Sequence, residues 1–244
     1  MTGDPPNRLL AILAPEDLNW LEAQLECTQL SPGEVLAEEG EPLQYTYFPQ
    51  SAVVSLVRTL KDGQVAEMAT FGREGLVGLA FEGIPLQSFG RYIVQIPGTA
   101  LRIDTMSLHK ASIARPAIQS MILHYTELLI SLTLRSAACN AAHSVEARAG
   151  RWIIATCDRV NRKDIPLTHE FLAEMLGVQR STVSTILHGF QTRGLIHQER
   201  GSITVIDRPG LQRAACECYG VLREKYEKLL PVAGESARLQ PGTS

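Results

Sequence analysis

Leu167 to Asp207 reads LTHEFLAEMLGVQRSTVSTILHGFQTRGLIHQERGSITVID. Thr168 can cap a helix, because its hydroxyl accepts from an orphan backbone N–H. Phe171, Leu172, Met175 and Leu176 give that helix an apolar side, and Gly177 ends it with a sharp turn. A second helix begins near Arg180. Its apolar residues Val183, Ile186, Leu187 and Phe190 fall at i, i+3, i+4 and i+7, so that face packs inward. The opposite face carries Arg180, Ser181, Ser184, Thr185 and His188, all polar and none acidic. Leu195-Ile196 then leads into HQERGSITVID, two short strands about a turn at Arg200-Gly201. An ordinary helical hairpin with a solvated face shares the two helices. The strand pair that follows gives instead the order of a winged helix-turn-helix.

That order gives each polar residue an expected task. Arginine can bond bidentately to the O6 and N7 of guanine, and hydroxyls meet base edges or phosphates. Arg180, Ser181, Ser184 and Thr185 are therefore the expected base contacts of a helix spanning about 180–192. Thr168, Gln179, Thr182, His188, Arg193, Arg200 and Ser202 are the expected backbone contacts, which position a protein without reading sequence.

Upstream the pattern changes twice. Residues 9–27 read as a short helical lead-in, with Pro15 suited to a helix start and Leu18, Leu21 and Leu25 at helical spacing. From about Leu30 to Ile103, short β-rich runs alternate with glycine and proline turns. Ala52–Thr59 and Gln64–Phe71 flank a tight turn at Lys61-Asp62-Gly63, and Arg91–Ile96 and Ala100–Ile103 add further strands. This spacing suggests a β-barrel or jelly roll. From Pro116 a long helix follows. Ile118, Met121, Ile122, Tyr125, Leu128, Leu129 and Leu132 form an apolar stripe that a twofold mate could cover, so they are the expected dimer interface. A monomeric core helix is the alternative. Another helix runs around Val145–Val160. The fold class expected is α+β: a double-stranded β-helix (jelly-roll-like) domain at 1–115, a dimerisation helix and hinge at 116–142, a winged helix-turn-helix at 143–230 and a disordered tail at 231–244.

Composition fits a soluble globular protein: 244 residues, 45% hydrophobic, 20% charged and net charge −3. The charge is unevenly spread. Residues 1–115 carry 8 basic and 14 acidic side chains, whereas residues 151–208 carry 8 basic and 6 acidic. DNA attracts a basic surface, so contact with it belongs in the C-terminal third. No run approaches the ~20 uninterrupted apolar residues of a membrane span, and the N-terminus lacks a signal-peptide pattern. A cytoplasmic location with no membrane partner is expected.

The succession of β domain, long helix and winged helix resembles the Crp/Fnr family of bacterial regulators over nearly the whole chain. The segment LTHEFLAEMLGVQRSTVSTILHGFQTRGLI resembles that family's helix-turn-helix throughout. The resemblance implies a homodimer seamed along the long helix, a palindromic double-stranded DNA operator, and RNA polymerase as a further partner. It places Arg180, Ser181 and Thr185 on the bases, with Ser184 alongside. Ser181 stands where many members carry glutamate and Thr185 where many carry arginine, so the half-site does not transfer. Gln179 replaces the usual Ser or Thr cap.

The family's cyclic-nucleotide cassette has a Gly-Glu-Leu turn, a short helix, then Arg before Ser or Ala; the Arg neutralises the phosphate. Here the stretch is FGREGLVGLAFEGIPLQSFGRYIVQI. Gly72, Glu74 and Gly75 match the turn loosely, Ser88 falls where the Arg belongs, and Arg91 comes three residues later. These five residues are the candidate effector pocket. A cyclic nucleotide is not expected, and the effector stays unidentified. Cys27, Cys139, Cys157, Cys216 and Cys218 show no C-x-x-C spacing, so no metal or iron–sulfur site is expected; Cys216-x-Cys218 is a weak redox hint. His124 and Cys139 could ligate haem but read better as packed in an interface. Residues 1–108 contain no histidine, which argues against a β-helix metalloenzyme. No G-x-S-x-G motif or P-loop suggests catalysis. A winged helix turned to protein binding would show acidic or apolar residues on its recognition face.

Overall fold

The computed structural model describes residues 7–61, 63, 65–79 and 87–230. A 3-10 turn at Leu10–Ile12 and α1 (Pro15–Glu22) precede β1 (Glu26–Leu30). The lead-in is thus shorter than expected, since residues 26 and 27 are already strand. Then follow β2 (Val35–Ala37), β3 (Tyr45–Pro49), β4 (Val53–Thr59), β5 (Val65–Phe71), β6 (Arg91–Ile96) and β7 (Gly98–Asp104). They form two antiparallel sheets, ordered β1-β7-β3 and β2-β6-β4-β5. Gly63, at φ +85°, serves the turn between β4 and β5; Asp62 lies outside the described residues. Phe48, Val54, Phe71, Leu76, Val94 and Ala100 fill the core of this β domain.

Asp104 caps α2 (Thr105–Ala114), its carboxylate accepting from Ser107 N at 2.8 Å. The helix α3 (Pro116–Ala142) has Pro at its first position, where the missing N–H costs nothing. By length and composition α3 could cross a membrane, with mean hydropathy 1.2 in its apolar window. Its buried side chains nevertheless pack on protein. Ile118, Met121, Tyr125 and Leu128 join the core of the chain's own β domain, and Ile122, Leu129 and Leu132 lie half-buried against it. The stripe expected to face a mate is thus covered from within the chain. A different set is exposed: Leu123 (59%), Ile130 (57%) and Leu134 (67%).

After His143 and Ser144 comes α4 (Val145–Val160), then β8 (Asp164–Pro166), α5 (His169–Leu176), α6 (Arg180–Thr192), β9 (Ile196–Glu199), β10 (Ser202–Val205), α7 (Arg208–Ala214) and α8 (Cys218–Leu229). The small sheet is ordered β8-β10-β9. A second core gathers Trp152, Ile153, Leu172, Val183, Leu187, Phe190, Ile203 and Leu211. From the sequence, α8 goes with this half. In the structure it returns along α3, and Tyr226, Leu229 and Leu230 join the core of the β domain. The expected tail at 231–244 lies outside the described residues.

Candidate nucleic-acid interface

The first helix of the pair, α5, is capped as expected: Thr168 Oγ1 accepts from Phe171 N at 3.2 Å. Gly177 then takes φ +65°, a left-handed conformation that glycine adopts without strain because it has no Cβ. No side chain caps the start of α6, where Gln179 makes no capping bond. Thr182 N already donates to Gln179 O at 3.0 Å, so the Arg180 and Ser181 N–H groups, which make no hydrogen bond among the described residues, are the ones that can meet an anion.

Along α6, Val183, Leu187 and Phe190 are buried and Ile186 is half-buried. Arg180, Ser181, Thr182, Thr185 and His188 are exposed, and Ser184 is partly covered. The expected base contacts thus lie on one outward face. The Arg180 side chain is 67% exposed, and its Nε lies 4.0 Å from Glu170, an exposed pair worth little. Two hydroxyls turn back on the helix: Ser184 Oγ donates to Arg180 O at 3.1 Å and Thr185 Oγ1 to Ser181 O at 3.1 Å.

The expected backbone contacts are less uniform. Arg200 is exposed at the wing turn, and Ser202 is half-buried beside it. Arg193 is already engaged, with Glu146 at 2.5 Å and its guanidinium stacked 5.1 Å from the centre of the Phe190 ring. A residue the sequence reading missed fixes this assembly. His169 Nδ1 meets Ser184 Oγ at 2.9 Å and its Nε2 meets Gln198 Oε1 at 2.8 Å, tying α5, α6 and the wing together.

The candidate effector pocket does not assemble. Arg91 is exposed and bonds Glu38 at 2.8 Å, so it points away from the β-domain interior. Its neighbours Tyr92, Val94 and Ile96 take the inward parity of β6. Ser88 bonds to Gly90 O. Glu74 is buried and accepts from Arg159 Nε of α4 at 2.8 Å. A Cβ at Gly72 would lie 2.8 Å from Arg159 Cβ, and one at Gly75 would strike the Tyr125 ring. Both glycines therefore let α4 and α3 pack closely on this turn. Burial works against the Arg159 charge, yet Glu74 holds its pKa above the usual value.

A second link joins the halves nearby. Trp152 Nε1 donates to Glu67 Oε2 at 3.0 Å, while Ser55 and Thr70 donate to Oε1 at 2.7 and 2.8 Å. Burial raises the Glu67 pKa, and these hydrogen bonds offset only part of that. With α5 packed against β5, the helix-turn-helix is seated on the β domain.

The sequence reading also missed a grouping of Cys139, His143, Cys216 and Cys218, whose ligand atoms all lie within 4.8 Å of one another.

Comparison with known proteins agrees with this architecture. Residues 27–104 match the family described as cyclic nucleotide-binding domain, and residues 147–214 match the Crp-like helix-turn-helix domain. A CRP-like cAMP-activated global transcriptional regulator of Mycobacterium tuberculosis is 25% identical over 210 residues, 82% of this chain and 93% of the relative. The regulatory protein CysR of Synechococcus elongatus is 30% identical over 146 residues, 56% of this chain and 70% of the relative. FixK2 from Bradyrhizobium japonicum has a similar fold, with TM-score 0.68, 18% identity, and coverage of 79% of this chain and 98% of that one.

Proposed function

The chain belongs to the Crp/Fnr family of bacterial transcription regulators, and from that premise we propose that it binds a palindromic operator as a homodimer, with α6 in the major groove. The observation that carries this reading is the exposed face of α6. It is led by Arg180, holds Ser181 and Thr185, and has no carboxylate anywhere on the helix to oppose phosphate charge. Ser184, partly covered, stands beside the base contacts. Thr168, Gln179, Thr182, His188, Arg200 and Ser202 flank them toward the backbone, with Arg193 joining when Glu146 is displaced.

The dimer seam follows from α3. Leu123, Ile130 and Ala137 recur every seven residues, and Leu134 and Ala141 form the companion row, all exposed. A heptad of this kind pairs two helices. The surface therefore suits a second copy, and twofold symmetry then sets two α6 helices to read half-sites about one helical turn apart. This work is that of a cytoplasmic protein, with RNA polymerase as its further partner on DNA. The signal acts through the β domain. Arg159 and Tyr125 occupy the turn that a cyclic phosphate would need, which argues for a different signal.

Selection of bound sequences from random DNA, followed by anisotropy titration of the selected site, tests the reading. A palindrome bound at two chains per duplex is expected. Recovery of no common sequence, with equal affinity for random DNA, would overturn it.

A further inference from the structure

We propose that Cys139, His143, Cys216 and Cys218 form a Cys3His site for one zinc ion at the hinge between the two halves of the chain. Cys139 stands in the last turn of α3, and His143 follows four residues later at the junction with α4. Cys216 precedes α8 and Cys218 is its first residue. The return of α8 along α3 brings these two short segments together.

The distances fit a single ion. Cys139 Sγ and Cys216 Sγ are 3.5 Å apart, and Cys218 Sγ lies 3.7 Å from His143 Nδ1. Tetrahedral zinc, with Zn–S of about 2.3 Å and Zn–N of about 2.0 Å, sets its ligand atoms roughly 3.5–3.8 Å apart. An iron–sulfur cluster is a body several ångströms across, and its ligands would stand farther apart than these do. Thiolate and imidazole donors suit zinc and exclude the hard cations calcium and magnesium.

The surroundings point the same way. His143 Nε2 meets the Glu217 carboxylate at 2.9 Å, which places the ring proton on Nε2 and leaves the Nδ1 lone pair facing the thiols. A carboxylate behind a histidine in this manner is the usual support of a zinc ligand. The three cysteines are buried, yet they belong to neither hydrophobic core; among the described residues only Ala147 is a partly buried apolar neighbour packed on them. Arg151 lies close enough to act on the Cys139 and Cys216 thiols, and its buried Nε has no hydrogen-bond partner among the described residues. Binding would release three thiol protons to solvent and leave three thiolates, one neutral imidazole and Zn2+. That sums to one negative charge, which Arg151 balances. The ion would tie the end of α3 to the start of α8 across the hinge.

The test uses the full chain. Purified protein is loaded with Zn2+ under a thiol reductant, freed of excess metal by gel filtration, and analysed for zinc by mass spectrometry. One zinc per chain is expected, unchanged in Cys27→Ser, whose thiol is exposed on β1. Cys216→Ser with Cys218→Ser should retain less than about a tenth of it, and Glu217→Ala should weaken affinity roughly 10–100-fold. Should the double variant not fold, Co2+ titration of the metal-stripped wild type decides alone. Tetrahedral visible bands with thiolate charge transfer support the site, and weak octahedral absorption overturns it. A Cys139–Cys216 disulfide with no retained zinc, an iron–sulfur chromophore after anaerobic purification, or full zinc in a folded double variant would each overturn it as well.

Discussion

Arg159 on α4 donates from Nε to Oε1 of Glu74 at 2.8 Å, so a helix of the DNA-binding half closes the turn that in cyclic-nucleotide receptors would face a phosphate. The pair is mostly shielded from water, with side-chain exposures of 16% and 7%. Buried ions of this kind gain little as a pair but are costly to separate.

Arg159→Met should therefore lower the unfolding free energy by about 3–5 kcal/mol, because it strands the Glu74 carboxylate. Glu74→Leu combined with Arg159→Met should recover most of that loss. Thermal unfolding of Arg159→Met, Glu74→Leu and the double variant measures the coupling; a double-variant loss equal to the sum of the two single losses would show that the two side chains act independently.

Glu67 sets a pH dependence. Burial raises its pKa in the folded chain from an ordinary value near 4.5, so the folded state holds the proton more tightly than the unfolded chain does. Stability then falls as pH rises from the ordinary value through the raised one. A glutamine at this position can accept from Trp152 and donate to the rotatable hydroxyls of Ser55 and Thr70. Relative to wild type, Glu67→Gln should therefore gain stability between pH 4 and pH 7. A parallel pair of melting curves at both pH values would refute this.

Arg180→Ala should cost roughly 1–3 kcal/mol at the selected site and relax the choice of base there. Anisotropy titrations against the site and its single-base variants give both quantities. Unchanged affinity together with unchanged selectivity would remove Arg180 from the bases.

For the seam, Leu123→Asp with Ile130→Asp should yield folded monomers that lose operator binding, read by sedimentation and by titration. Leu128→Asp should act differently, since Leu128 is only 6% exposed within its own chain. A charge there destabilises the fold itself, and its melting point should drop sharply. A double variant that still sediments as a dimer would place the seam elsewhere.

His169→Ala removes two hydrogen bonds, to Ser184 and to Gln198, and should cost about 1–3 kcal/mol. Hydrogen exchange should quicken at the amides of β9 and β10, and operator affinity should fall although His169 is not placed on the bases. Unaltered exchange in the wing would assign the histidine a purely local role.

The legible parts of the chain were those whose pattern is local. Val183, Ile186, Leu187 and Phe190 state which face of α6 packs inward, and the remaining residues then name the outer face. On α3 the same logic finds a stripe but not what covers it, because Ile118, Tyr125 and Leu128 lie on one side and Leu123, Ile130 and Leu134 on the other. Arg91 takes the outward parity of β6, a signal the sequence carries, since the buried Tyr92, Val94 and Ile96 alternate with it. The cysteine–histidine grouping depends on α8 folding back, and nothing between Cys139 and Cys216 announces that return. His169 likewise gains its meaning from Ser184 and Gln198, which only the folded chain brings near.

Beyond Pro116 at its first position, α3 contains neither proline nor glycine. Sharp kinks arise at such residues or at inserted bulges, so its 27 residues behave as one stiff rod about 40 Å long. Tyr125 beneath the β domain, Ile130 on the open side and Cys139 at the far end are therefore fixed to a single lever. A tilt imposed at one of them is delivered to the other two together, with no slack in between.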